Sequence, residues 1–128
     1  MTTEGYLQTM HGAATKRYVQ TMELRDNPEL IAEYRRRHSR GEVWQEILDG
    51  IREVGILEME IYIQGTRLVM IVDTPTDFDW DAAMDRLSRL PRQQEWEEYM
   101  ALFQQCRADA TSNEKWQMME RMFHLYES

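Results

Sequence analysis

Residues 57–63 read LEMEIYI, in which apolar side chains alternate with polar ones. A side-chain period of two is typical of a β-strand with one apolar face. The apolar face carries Leu57, Met59, Ile61 and Ile63. The other face carries Glu58, Glu60 and Tyr62. Residues 64–67, QGTR, then predict a tight hairpin turn, and residues 68–73, LVMIVD, predict a second strand that is apolar on both faces.

A helical region is predicted before this hairpin. Residues 27–29, NPE, predict its start, because asparagine caps free N–H groups and proline suits the first helical position. The helix weakens at residues 39–41, SRG, resumes over residues 43–54 and stops at Gly55.

A second helical region is predicted after the hairpin. One face of its first helix carries Trp80, Met84 and Leu87. Pro91 is predicted to start a further helix. One face of that helix carries Trp96, Met100 and Phe103. Residues 107–115 are predicted to form a polar loop.

Two outer strands complete the predicted sheet, over residues 17–24 (RYVQTMEL) and residues 116–125 (WQMMERMFHL). The order β-α-β-β-α-β is that of a ferredoxin-like α+β fold, with an antiparallel sheet and helices on one face. The third and fourth strands are largely apolar on both faces, so we predict that a second copy covers the free face in a homodimer. Residues 1–15 lack periodicity and are predicted to form a flexible tail before a single domain over residues 16–128.

The composition argues against several classes of function. The 128 residues carry 15 Lys and Arg against 23 Asp and Glu, a net charge of −8, which disfavours nucleic acid as a partner. The longest apolar run, residues 68–72, is far shorter than the roughly 20 residues of a membrane span. The N-terminal stretch lacks the pattern of an export signal, and Cys106 is the single cysteine, so we expect a cytoplasmic protein. Cys106 itself is predicted to be an inert buried thiol on a helix.

Metal and cofactor chemistry has little support in the sequence. The three histidines fall in the tail, the first helical region and the last strand, and they are His11, His38 and His124. No two of them have ligand spacing, and no glycine-rich loop joins a strand to a helix. We therefore predict neither a metal nor a cofactor.

Residues 33–38, EYRRRH, contain the strongest candidate for catalysis. The three consecutive arginines span about 200° of a helix and are expected to form a solvated basic turn. Tyr34 and His38 are four residues apart and stack on the helix face that Ile31 begins. Two interpretations stay open. His38 is either a core histidine bonded to the tyrosine or a general acid and base at the rim of a pocket, with Tyr34 as the positioning hydroxyl.

A second candidate pair is Trp96 and Glu97. Trp96 lies on an apolar stripe with Met100 and Phe103, which is typical of a helix that packs on a core. An indole beside a carboxylate is also a common way to hold a sugar, whose C–H face stacks on the ring while its hydroxyls bind the acid. Core residue and binding platform stay open as alternatives.

Several motifs, in the same order along the chain, resemble the L-rhamnose mutarotase family. Residues 33–38, with Trp44 soon after, resemble the signature of the family's first helix, and residues 95–100, EWEEYM, fall at its second-helix tryptophan motif. The resemblance extends from Lys16 to Leu125. Three stretches are most similar to the branch described as L-fucose mutarotases, namely GILEMEIY, RLVMIV and EKWQMMERMFHL.

The resemblance implies a dimeric α+β barrel with the activity of a carbohydrate isomerase. Such an enzyme interconverts the α and β anomers of a 6-deoxyhexose by opening and closing the sugar ring, without a cofactor or metal. The resemblance implies that His38 is the proton donor. It also implies that Tyr34, Trp44 and Trp96 belong to the sugar-binding site.

Two predicted binding residues depart from the family pattern. Glu97 stands where the family has a second tryptophan, and Met59 stands where it has a substrate-binding tyrosine. These changes disfavour L-rhamnose and favour another 6-deoxyhexose, L-fucose. The second proton carrier stays open between Glu97, Glu60 and water. Another enzyme of the same barrel class, such as a cofactor-free monooxygenase, and a non-catalytic sugar-binding module stay open as other functions.

Overall fold

The computed structural model describes residues 3–107 and 109–126. The chain folds into an antiparallel sheet with helices on one face. The strands are β1 Thr15–Glu23, β2 Glu58–Gln64, β3 Arg67–Pro75 and β4 Gln117–Met119. The helices are α1 Pro28–Arg37, α2 Gln45–Glu53, α3 Trp80–Leu87, α4 Gln93–Ala101 and α5 Ser112–Lys115. Across the described ranges, no helix is long and apolar enough to cross a membrane.

The strand order is β2-β3-β1-β4, with each neighbouring pair antiparallel. The predicted ferredoxin-like arrangement is confirmed, with a helical region between β1 and β2 and another between β3 and β4. The predicted hairpin joins β2 to β3, and Gly65 in its turn has a φ of +59°, which glycine adopts without strain.

The core lies between the sheet and the helices. Alternate residues of β1 and β3 face the helical layer and are buried, as Met22, Leu68, Met70 and Val72 illustrate. Their sequence neighbours Val19, Val69 and Ile71 face the other way and are half-buried. We refer to this second side as the open face of the sheet.

Local signals predicted the helix ends of the first helical region. Asn27 caps α1, because its side-chain oxygen accepts hydrogen bonds from the backbone N–H groups of Glu29 at 3.0 Å and Leu30 at 3.2 Å. The chain leaves the helix after α1 and resumes at α2, as the SRG break predicted. Gly55 follows α2 with a φ of +100°, which confirms the predicted stop.

Three predictions about the second helical region are wrong. Pro91 does not start a helix, because Arg92 adopts a left-handed conformation with a φ of 63° and α4 begins only at Gln93. Cys106 is not on a helix, since α4 ends at Ala101; the thiol is half-buried, and burial raises its pKa. The predicted polar loop over residues 107–115 contains the short helix α5.

The last strand is shorter than the sequence pattern predicted. β4 is an edge strand of three residues that pairs with β1. Residues 120–126 leave the sheet, and their apolar side chains are exposed to solvent. His124 therefore lies outside the strand to which the sequence assigned it.

Candidate active site

A cavity of about 430 Å³ opens between the sheet and the helices. This volume is within the range of small-molecule sites. Five of the six predicted site residues line it together, and they are Tyr34, His38, Met59, Trp96 and Glu97. They come from α1, β2 and α4, so the fold gathers at one cavity side chains that are up to 63 residues apart, from Tyr34 to Glu97.

His38 caps the C-terminal end of α1 and is half-buried in the cavity wall. Its Nδ1 lies 2.9 Å from the backbone carbonyl oxygen of Tyr34. A carbonyl oxygen only accepts, so Nδ1 carries the proton and Nε2 of the neutral ring keeps a free lone pair. Nε2 forms no hydrogen bond with any residue that the structure describes. Burial lowers the pKa of His38, so the neutral ring is favoured near pH 7.

Tyr34 is buried directly beside this imidazole. The two ring centroids are 4.2 Å apart. The Tyr34 hydroxyl accepts a hydrogen bond from Gln104 Nε2 at 3.3 Å, and burial raises the pKa of the hydroxyl well above its ordinary value. The phenol therefore stays protonated and retains a hydrogen that it can donate. Sequence reasoning missed Gln104, which is 70 residues away along the chain.

Trp96 is both a core residue and part of the cavity wall. It is 6% exposed, and its ring meets His38 edge-on at 5.7 Å. Trp44 packs against Trp96 at 5.1 Å and stacks on Tyr99 at 5.9 Å, with the Arg92 guanidinium carbon 4.1 Å above its ring. Trp44 is not among the residues that line the cavity and instead supports Trp96 from the side.

Glu97 belongs to a buried polar cluster that the sequence did not indicate. Its Oε1 accepts a hydrogen bond from Lys115 Nζ at 3.1 Å, and its Oε2 accepts one from Gln93 Nε2 at 3.0 Å. Lys115 Nζ also donates to the backbone carbonyl of Glu97, and the lysine side chain is 0% exposed. The sequence assigned Lys115 to a polar loop, so no local signal pointed to this contact.

The other groups considered for chemistry lie elsewhere. Glu60 is on the strand side away from the cavity, where it contacts Tyr62 and Gln8. In the ranges 3–107 and 109–126, no group of three or more His, Cys, Asp or Glu side chains is placed to hold a metal ion. The cavity is therefore lined by one imidazole and one phenol, by the carboxylates of Glu58 and Glu97 and by the indoles of Trp96 and Trp116.

The sequence of this chain is similar to one family model and to two known proteins. A family model described as L-rhamnose mutarotase matches residues 17–125. An L-fucose mutarotase from Xanthomonas campestris pv. campestris is 37% identical over 113 residues, which cover 88% of this chain and 90% of that protein. A UPF0734 protein from Dictyostelium discoideum is 33% identical over 114 residues, covering 86% and 90%.

A solved structure has the same fold. The crystal structure of an L-rhamnose mutarotase from Formosa agariphila superimposes with a TM-score of 0.64 at 18% identity, covering 87% of this chain and 99% of that one.

Proposed function

Because this chain belongs to the L-rhamnose mutarotase family and is thus a carbohydrate isomerase, we propose that it interconverts the α and β anomers of L-fucose. The observation that carries the proposal is the cavity in which His38, Tyr34, Trp96 and Glu97 meet. The relative named L-fucose mutarotase supports the choice of L-fucose.

The proposed reaction needs two proton transfers. In ring opening, neutral His38 accepts the proton of the C1 hydroxyl at Nε2, the bond between C1 and the ring oxygen breaks, and the ring oxygen gains a proton from water. The aldehyde turns about the C1–C2 bond. In ring closure, the imidazolium returns its proton to the oxygen on C1, which makes His38 the proton donor of that step, and the hydroxide left by the water takes up the proton of the C5 hydroxyl.

The remaining cavity wall fits a deoxyhexose. Trp96 offers an apolar edge for the C–H face of the ring, while Glu97 and Tyr34 offer polar atoms for hydroxyl groups. Other lining residues are apolar and suit the methyl group at C6, and they include Ile47, Met59, Met70 and Met100. The methionine at position 59 contributes to this apolar wall.

The test is NMR saturation transfer between the anomeric protons of L-fucose, L-rhamnose and D-galactose, with and without protein. We expect accelerated exchange, fastest for L-fucose. Sugar binding without faster exchange would identify a non-catalytic binding module. Neither binding nor exchange for any of the three sugars would favour another enzyme of the same barrel class.

We also propose that two copies join through the open face of the sheet. Val19, Val69 and Ile71 give this face an apolar centre, and Met119 at the β4 edge is 45% exposed in the single chain. A face of this kind is stabilised when a second identical face covers it. A chain with a single cysteine forms no internal disulfide and fits a reducing compartment, so we continue to predict the cytoplasm as its location.

A further inference from the structure

A buried ion pair stands in the wall of the cavity. Lys115 Nζ and Glu97 Oε1 are 3.1 Å apart, and their side chains are 0% and 10% exposed. The free energy required to remove two charges from water is about as large as the free energy of their attraction. A buried pair therefore stabilises the fold little compared with apolar residues of similar size. Folding alone therefore does not account for charges here.

Glu97 also lies between two cavities. A second cavity of about 250 Å³ lies between α3, α4 and the α5 segment. It shares part of its lining with the first cavity, through Leu87, Gln93, Glu97 and Ser112. Glu97 thus lines both cavities, while Lys115 lines neither.

The hydrogen bonds of Glu97 define what this wall can recognise. An ionised carboxylate accepts about four hydrogen bonds and donates none. Lys115 and Gln93 supply two donors, one to each oxygen. Two acceptor positions stay free of partners among residues 3–107 and 109–126. Because Lys115 and Gln93 each direct a hydrogen at the carboxylate, the free positions of Glu97 present acceptors to a ligand.

We propose that Glu97 is the specificity-determining residue of the sugar site and that Lys115 is the positioning residue that holds it as an obligate acceptor. This inference rests on the proposed mutarotase function. A sugar that presents a hydroxyl group at this wall fills a free acceptor position of the carboxylate, whereas one that presents hydrogen or a methyl group leaves that position without a donor. Sites built around such a hydrogen bond discriminate strongly against analogues that lack the hydroxyl.

The test combines deoxy sugars with variants. Exchange rates are measured against concentration for L-fucose and its 2-, 3- and 4-deoxy analogues, with the wild-type protein and with Glu97→Gln. For one analogue we expect the wild-type KM to rise about 10- to 100-fold over that for L-fucose, as for a lost charge-assisted hydrogen bond. With Glu97→Gln, KM for the same analogue should rise far less over KM for L-fucose. The sugar hydroxyl and the carboxylate form one hydrogen bond, so the effects of removing them are coupled. An identical ranking of sugars by both proteins would overturn the inference.

Lys115→Met tests the positioning role. It removes the cation and keeps an apolar stem, so Oε1 of Glu97 loses its donor and the carboxylate loses the contact that orients it. We expect KM for L-fucose to rise while kcat changes much less. A purely structural lysine would instead lower the melting temperature and leave KM unaltered, which would contradict the proposal.

The double variant Glu97→Gln/Lys115→Met serves where the single lysine variant does not fold, because it leaves neither charge unpaired. It should rank the sugars as Glu97→Gln does, and a wild-type ranking would overturn the inference. If the wild-type protein exchanges no sugar, the proposed function has failed. If it exchanges L-fucose but Glu97→Gln keeps the wild-type ranking, this inference alone has failed.

Discussion

The imidazole Nδ1 of His38 lies 2.9 Å from the backbone carbonyl oxygen of Tyr34, one helical turn earlier. This contact assigns the proton of the neutral ring to Nδ1 and leaves Nε2 as a base at the cavity. We expect long-range ¹H–¹⁵N NMR spectra at neutral pH to show the Nδ1–H tautomer for His38. The signal is assigned by its loss in His38→Ala. A dominant Nε2–H tautomer would contradict the proposed proton transfer.

The activity should depend on pH through this histidine. The neutral form is required, and burial places the His38 pKa below its ordinary value of 6.5. We therefore expect kcat/KM to rise with pH to a plateau, with the midpoint of the rise below 6.5. Uncatalysed exchange, which acid and base also accelerate, is measured at each pH and subtracted. A midpoint above 6.5, or a rate that rises as pH falls, would speak against the assignment.

Trp96 is expected to contribute to binding as well as packing. Trp96→Phe keeps an aromatic core but shortens the cavity wall, so we expect KM for L-fucose to rise several-fold, in line with about 0.5–1.5 kcal/mol for an aromatic contact. Phe103→Leu is the matched control, because Phe103 is buried but is not among the residues that line the cavity. Both variants should lower the melting temperature, and only Trp96→Phe should change KM. Equal KM values would identify Trp96 as a core residue alone.

The homodimer is tested at the centre of the open face. Ile71 lies on β3 and is half-buried in the single chain. Light scattering coupled to size exclusion should report a dimer for the wild-type protein and a monomer for Ile71→Lys, because burying an unpaired ammonium group is costly. Leu102→Lys is the control, since Leu102 is 60% exposed on the helical side. A monomeric wild-type protein would refute the dimer.

Local sequence signals predicted the parts of this fold that depend on neighbouring residues. The alternation in residues 57–63, the Asn27 cap and the Gly55 stop each act within one turn or one strand, so the pattern alone is sufficient. The start of α4 escaped prediction because Arg92 adopts a backbone conformation that is uncommon for residues other than glycine. The end of β4 depends on how far β1 pairs with it, which is a long-range property.

In the candidate site, too, the sequence predicted the local contacts and missed the long-range ones. Tyr34 and His38 are four residues apart on one helix, so their proximity follows from helical geometry. Gln104 reaches Tyr34 across 70 residues, and Lys115 reaches Glu97 across 18 residues. A lysine in a polar stretch is usually exposed, and only the packing of α5 against α4 places this one inside the protein.

The central claim is that the imidazole of His38 carries the proton that opens and closes the sugar ring. Its most direct test is the anomer exchange rate of L-fucose with His38→Ala, compared with His124→Ala, in which an exposed histidine outside the sheet is replaced. Circular dichroism checks that both variants are folded. We expect the exchange rate of His38→Ala to be at least about 100-fold lower than that of the wild-type protein, as for the loss of a general acid and base. The exchange rate of His124→Ala should match the wild-type rate. A folded His38→Ala protein that exchanges the anomers at the wild-type rate would contradict the claim.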